Sequence, residues 1–469
     1  MEETDERKDK EAMSDFLEIS RRRLLEMAAA ITAGTSSSFG QALTGPELGL
    51  PPERVTVLRS RNPKGGTWPE VVAAGLAKPL GQPQLRRQNL RGKRVVVITD
   101  DWGRPTPASE VIPLLLEELH AAGAEDKAIT FVTASGMHVS MKPADLERKL
   151  GKETIQRFRC LSHDAGDRNM LVFAGISDLG TPVWINRYVA EADFRVALGR
   201  IALHETYGYE GGYKMIVPGI SSYETILRDH SMNFSRHSVP GVHENPSRRE
   251  ADSIGAMVGI NFLVNVVVNS RDEPVRAFAG KVEEVHPAGV RFGDQEVWGA
   301  FTPWESDVTV LTLGPGESAR KEPAPEILRR AATVTREKGT IICESSVEQV
   351  YQPVIGGSPV DEEAVNTTDA AALNAMLAKL SLSDLMWIHE KRDWKIDKRT
   401  IQHHVKAVRS AFYRVRALMT AQKCQMLLSP DPGKTLKSVA KNLPADKFRV
   451  NVIVGGRTTL PKIRPASAS

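Results

Sequence analysis

Cysteine is almost missing from this 469-residue chain: Cys160, Cys343 and Cys424 stand far apart and form no CxxC pair. That spacing argues against a disulfide framework and a thiolate zinc site, and it reads the three as small apolar packing residues. Beyond the N-terminus no stretch reaches the ~18 consecutive apolar residues of a membrane span. An excess of one charge is missing too, since 62 Lys and Arg against 58 Asp and Glu leave a formal net charge of +4. Aromatics make up 6% and no long basic run interleaves with them, so nucleic acid is not an expected partner. The chain also has no Walker loop, no early dinucleotide fingerprint, no HExxH and no repeat at solenoid spacing. A small anionic ligand held locally remains compatible with all of this.

What is present is a globular composition, 26% charged and 41% hydrophobic, in a chain too long for one core at roughly 150 residues per domain. We expect two α/β domains with largely parallel sheets and an interdomain cleft. Residues 46–300 form the first, 301–440 the second, and 441–469 a returning strand with a disordered tail. Residues 1–45 read differently: Ser20 is followed by Arg21, Arg22 and Arg23, two leucines and a mildly apolar run of small residues. That is the layout of a twin-arginine export signal, which carries folded proteins, and the same stretch also fits an amphipathic basic helix or a frayed arm.

From Gln41 to Gln88 the chain is rich in Pro, Gly and Arg and reads as irregular. At Lys93 the pattern sharpens. RVVVITD is a continuous apolar run ending in carboxylates, then comes GRPTP, then the amphipathic SEVIPLLLEELHAAG. Strand, loop and helix follow. AITFVTASGMH and PADLERKLGKETIQRF repeat the unit, and further strands are expected at Met170 to Phe173, Phe194 to Leu198 and Asn261 to Val268. Later come a strand at Val308 to Leu313, a helix at Glu326 to Glu337, a strand at Thr340 to Cys343, a helix-rich stretch from Asp369 to Leu428 and a strand at Phe448 to Val454. Continuous apolar strands alternating with helices call for parallel strands covered on both faces. Ligands bind such sheets at the strands' carboxyl ends, where Asp101, Arg104, His138 and His204 fall.

The richest segment is GRIALHETYGYEGGYKMIVPG, from Gly199 onward, with a histidine, a glycine-rich turn and Lys214 close together. Gly208, Gly211 and Gly212 allow close backbone approach to a ligand, and Lys214 reads as either a phosphate partner or a nucleophile. His138, His204 and His230 are each structural or functional on their own; a place at a strand end favours proton transfer or metal ligation for the first two. Arg104, in a proline-stiffened loop, suits bidentate carboxylate recognition or an ion pair with Asp101. His163 and Asp164 form a weaker polar pair. Asn186, Arg187, Asn245 and Arg248 suit phosphate binding or loop bracing.

In order, DDWGRP, SGMH, HDA from His163, GTPVWINR, HETYGYEGGYKMIVPG, His230, ENP from Glu244 and FLVNVVVN resemble the nickel-pincer lactate racemase family. The resemblance spans roughly Lys93 to Ala300. It implies a nickel-pincer nucleotide tethered to Lys214 through a thioamide, with Asp101, Gly211 and Gly212 around the cofactor and His230 completing the nickel coordination. His138 and His204 would be general acid and base on opposite faces of a small 2-hydroxy acid, and Arg104 would grip its carboxylate. Hydride would leave Cα for the pincer and return to the other face. Enzymes that build the cofactor are implied partners.

Departures from the family pattern bear on the substrate. Gly103 stands where threonine is usual, and Glu210 where serine is usual. Glu326, Arg329 and Arg330 occupy the region of a glutamine and a lysine, leaving Arg330 and Trp394 as the second domain's candidate substrate contacts. The resemblance therefore implies a 2-hydroxy acid racemase or epimerase for lactate or something larger. A non-catalytic relative that binds an anion or the cofactor is the alternative, and a histidine-based metal hydrolase a weaker one.

Overall fold

The computed structural model describes residues 50–204, 206–231, 239–312, 330–344, 424–429, 432–444, 447–455 and 459–464. The chain divides into a unit of Met1–Leu43, outside the described residues along with the expected export signal, and a unit of Thr44–Ser469, to which everything below belongs.

Strand β2 (Val95–Asp100) is buried along its whole length because its alternating side chains feed two cores. Val95 and Val97 pack on one face with the helix Ala108–Ala121, while Val96 and Ile98 pack on the other with Met215 and Ile216. Each such valine or isoleucine contributes about 1.5–3 kcal/mol by leaving water. On either side of β2 lie β3 (Ile129–Ala134) and β7 (Phe194–Ile201), with β4 (Arg159–Ser162) beyond β3 and β10 (Phe262–Val268) beyond β7. All these pairs are parallel, and only β11 (Pro274–Gly280) closes the edge antiparallel to β10. The chain runs outward from β2 through β3 to β4 and then returns to β2's other side with β7. The order therefore switches direction beside β2, and a crevice opens past the carboxyl ends of β2 and β7, where open α/β sheets bind ligands.

A second parallel sheet has the order β1 (Val55–Arg59), β16 (Val450–Val454), β13 (Ser306–Thr312), β14 (Thr335–Glu344) and β15 (Gln425–Ser429). Thus β1, inside the stretch read as irregular, joins the second sheet, and the late strand inserts between β1 and β13. Cys343 and Cys424 are buried in its core with Leu58 and Ile341. Burial pushes the Cys160 thiol, by the first sheet, up to about 11.

Three expected elements differ. Residues 335–337, given to a helix, begin β14, because TREKGTIICE is β-branched enough to pair with β13 once the buried Thr335 bonds Thr309 at 2.6 Å. The end of the stretch expected to be helix-rich is β15. The strand expected at Met170 to Phe173 forms β5 (Leu171–Ile176), which pairs antiparallel with β6 (Pro182–Asn186) in its own hairpin outside the main sheet. Most of 369–428, the helix N-terminal to 330, and the tail's last five residues lie outside the described residues.

Candidate active site

The loop after β2 is held from below by a buried lysine. Lys149, from the helix Pro143–Leu150, lies 2.7 Å from Asp100 and donates to the carbonyls of Arg104 and Thr106 at 2.9 and 2.8 Å. Burial pushes the Asp100 carboxyl up, and Lys149 and the Thr106 hydroxyl oppose that. On the loop, Asp101 accepts from the Gly103 amide at 3.1 Å and lies 2.7 Å from His138 Nδ1, at the end of β3. A carboxylate only accepts, so the ring proton facing it is on Nδ1, and Nε2 keeps its lone pair.

The Gly199 segment leaves β7, forms the short pair β8 (Leu203–His204) and β9 (Gly208–Tyr209), and turns back beneath the cavity. Gly211 is at φ +81°, and a Cβ there would lie 2.6 Å from Asn265 Oδ1 and 2.9 Å from the Arg200 carbonyl. The Gly212 amide donates to the same Asn265 oxygen at 2.9 Å. Arg248, almost fully buried, donates to the carbonyls of Tyr207, Tyr209 and Gly211 and so props the turn from its other side.

His204 is held in the opposite sense to His138. Its Nδ1 receives the backbone amides of Thr206 and Tyr207 at 3.2 and 3.3 Å, and the Thr206 hydroxyl lies 3.3 Å away. Amides only donate, so the neutral ring carries its proton on Nε2.

Glu210 sits in the same turn, 8% exposed. Its Oε1 is ion-paired with Arg104 Nε at 2.7 Å, and Oε2 accepts a hydrogen bond from Arg200 Nε at 2.7 Å. Arg200 continues to Asp272 at 2.5 Å. Burial pushes the Glu210 carboxyl up, but Arg104, Arg200 and Lys214 outweigh it and hold it at about 2. Across the turn, Lys214 Nζ lies 4.7 Å from the centre of the Tyr207 ring. The Tyr207 hydroxyl donates to the fully buried Asp229 and lies 3.2 Å from His230 Nδ1, and that nitrogen is 3.1 Å from Asp229. Burial pushes the Asp229 carboxyl well above the usual range, against the Tyr207 bond. Nδ1 of His230 is thus engaged by both Tyr207 and Asp229.

One cavity of about 80 Å³ brings together Asp101, Arg104, His138, His204, Gly211, Lys214 and His230. Gly212 lies just below it against His286. Arg330 is buried near the start of β14 and is not among the lining residues. Trp394 lies outside the described residues. Among the described residues no cluster of three or more His, Cys, Asp or Glu is arranged to hold a metal. Asn186, Asn245 and Arg248 brace loops: Asn245 caps the helix Pro246–Val258, and Asn186 bonds both Tyr188 N and His163. Sequence reasoning missed Arg200, Tyr207 and Asp229. Arg200 and Tyr207 stand beside His204 and Glu210 in GRIALHETYGYEGG, and Asp229 immediately precedes His230, so adjacency was the available signal.

Residues 44–241 match the family model described as the lactate racemase N-terminal domain. A lactate racemase from Thermoanaerobacterium thermosaccharolyticum is 31% identical over 253 residues, covering 52% of this chain and 58% of that protein. A lactate racemase from Lactiplantibacillus plantarum is 30% identical over 227 residues, covering 48% and 53%. The chain thus spans about half the length of the curated relatives it matches. Among solved structures, the lactate racemase apoprotein from T. thermosaccharolyticum aligns with a TM-score of 0.66 at 23% identity, over 89% of this chain and 96% of that one. A crystal structure of a Thermotoga maritima protein aligns at 0.51 and 17% identity, over 86% and 100%. At these identities the two structures establish the shared mixed α/β fold.

Proposed function

Because the chain belongs to the lactate racemase family through its N-terminal domain, we propose that it inverts the 2-hydroxy carbon of a small acid, as a racemase or epimerase. The observation that carries this reading is the pair of cavity histidines in opposite tautomers: His138 offers a lone pair and His204 an N–H. A reaction that strips a hydroxyl proton on one side and returns a proton to a carbonyl oxygen on the other needs that pair.

The residues fit a tethered nickel-pincer nucleotide. Lys214 supplies an amine for a covalent bond, and His230, with Nδ1 engaged by Asp229 and Tyr207, supplies one imidazole donor to a metal whose other ligands come from the group. The enclosed space suits a small acid, so the nucleotide part would lie outside it. When bound, the group supplies an acceptor and donor for hydride at the substrate's Cα. Everything else falls to the chain. The outer nitrogens of Arg104 hold the substrate carboxylate while its Nε stays on Glu210. His138 Nε2 takes the hydroxyl proton of one enantiomer, and His204 Nε2–H passes its proton to the oxygen presented after the planar 2-keto acid turns, with the proton left on His138 returned to His204 through solvent. The opposite enantiomer follows the same route backwards.

Protein co-expressed with cofactor-making enzymes should carry a mass adduct on Lys214 and should interconvert the enantiomers of at least one 2-hydroxy acid on a chiral column. An unmodified Lys214 together with no inversion across the panel sinks the reading. An adduct with ligand binding and no inversion points to the non-catalytic alternative.

A further inference from the structure

Glu210 is in the wrong place to be only an ion-pair partner. It lines the cavity beside His138, His204 and Lys214, it is nearly fully buried, and while Oε2 accepts from Arg200 Nε, Oε1 is ion-paired with Arg104 Nε at 2.7 Å. A carboxylate offers about four acceptor positions. A ligand that fills the cavity strips water from the remaining ones. Facing them with a methyl group leaves buried acceptors without compensation, whereas a hydroxyl satisfies them. Sites built to bond a substrate hydroxyl reject the analogue lacking it far more strongly than apolar pockets reject an extra methylene.

Position follows from Arg104. Glu210 occupies its Nε edge at 2.7 Å, and a substrate carboxylate held on the adjacent outer nitrogens would set the next carbons of the chain alongside the Glu210 oxygens. The cavity's other charges reinforce the choice. With Asp100 and Asp101 also lining it beside Arg104, Arg200 and Lys214, a second substrate carboxylate next to Glu210 would be repelled, while a neutral hydroxyl can donate to it.

Resting on the racemase reading, we propose that Glu210 is the specificity-determining residue of this cavity. It accepts a hydrogen bond from a second substrate hydroxyl and selects 2,3-dihydroxy and longer polyhydroxy acids over alkyl ones.

Lactate and glycerate differ by one hydroxyl on C3 and provide the test. Cofactor-loaded full-length protein is assayed for inversion of each by chiral chromatography and for equilibrium binding of each by calorimetry. The wild type is expected to favour glycerate by about 10- to 100-fold in kcat/KM and in affinity. Glu210→Ala should bring both ratios within about threefold of unity, and Glu210→Gln should fall between. Should the alanine variant fail to fold because Arg200 loses its partner, the glutamine variant decides alone. A wild-type preference for lactate, or a glycerate preference unchanged in the variants, overturns the assignment. A Glu210-dependent binding preference without inversion of either acid sinks the racemase reading and supports the assignment of Glu210. Inversion of both acids at equal rates does the reverse, and neither binding nor inversion overturns both.

Discussion

His138 and His204 reach the same cavity from the ends of different strands, one against a carboxylate and the other against two backbone amides. Asp101 takes the His138 proton on Nδ1 and leaves Nε2 with a lone pair, whereas the amides fill the His204 lone pair at Nδ1 and leave its proton on Nε2. The resting site is therefore asymmetric in its protons although the reaction it suits is symmetric in its enantiomers. The difference also concerns what evolution or a mutation can reach. Asp101 is a side chain and can be exchanged, while the amides of Thr206 and Tyr207 belong to a turn held by Gly211, Asn265 and Arg248.

The largest expected effect comes from breaking the His138 side. In Asp101→Asn the amide can donate to Nδ1 and favour the wrong tautomer, removing the base at Nε2. By analogy with other carboxylate-oriented histidines, turnover of any 2-hydroxy acid the protein inverts should fall about 10³- to 10⁴-fold with little change in KM. Chiral chromatography under saturating substrate measures it, and a loss under tenfold would mean Asp101 does not set the tautomer.

A third histidine sharpens the comparison. His163 is fully buried, and its ring hydrogen-bonds to neutral groups, with the Asp164 carboxylate nearby: Nε2–H donates to the Ser221 carbonyl at 2.9 Å, and Nδ1 receives Asn186 at 3.3 Å. Burial lowers it from 6.5 to about 4, outweighing the Ser221 bond. Its folded pKa lies below its unfolded one, so its stabilising contribution is complete above pH 6.5 and is lost as pH falls through about 4. The difference corresponds to about 3 kcal/mol. Urea unfolding at pH 7.5 and pH 4 should show that loss, and His163→Asn should unfold with a shallower pH dependence over this window. Glu210, held at about 2, contributes in the same direction but only below the ordinary carboxylate range. A variant as pH-sensitive as the wild type between pH 6.5 and 4 would refute the assignment to His163.

How far the sequence revealed this site depended on the range of the interactions. RVVVITD and FLVNVVVN read as buried strands because both faces of one sheet are covered, and DDWGRP, SGMH and the Gly199 segment lie at strand ends where binding is expected. The partnership of Glu210 with both Arg104 and Arg200 was not legible. It joins a loop after β2 to the turn after β7, and nothing in local spacing says which of several charges will meet. The same holds for β1, whose short apolar run became a strand only because β16, nearly 400 positions later, supplied a partner. Arg330, expected at the site from linear correspondence, is buried and is not among the residues lining this cavity.

The smallest effect tests the His204 side. Thr206 is fully buried, and its hydroxyl lies 3.3 Å from His204 Nδ1, a longer contact than the 2.7 Å between Asp101 and His138. Thr206→Val removes the hydroxyl and keeps the branched shape, while the amides of residues 206 and 207 stay in place to hold Nδ1 as an acceptor. A neutral hydrogen bond with two surviving companions contributes less than about 1 kcal/mol, so turnover should drop no more than about fivefold. The same chiral assay, run beside Asp101→Asn, measures the contrast. If Thr206→Val costs as much as Asp101→Asn, the backbone amides are not what fixes His204, and the hydroxyl must be acting on the ring alone.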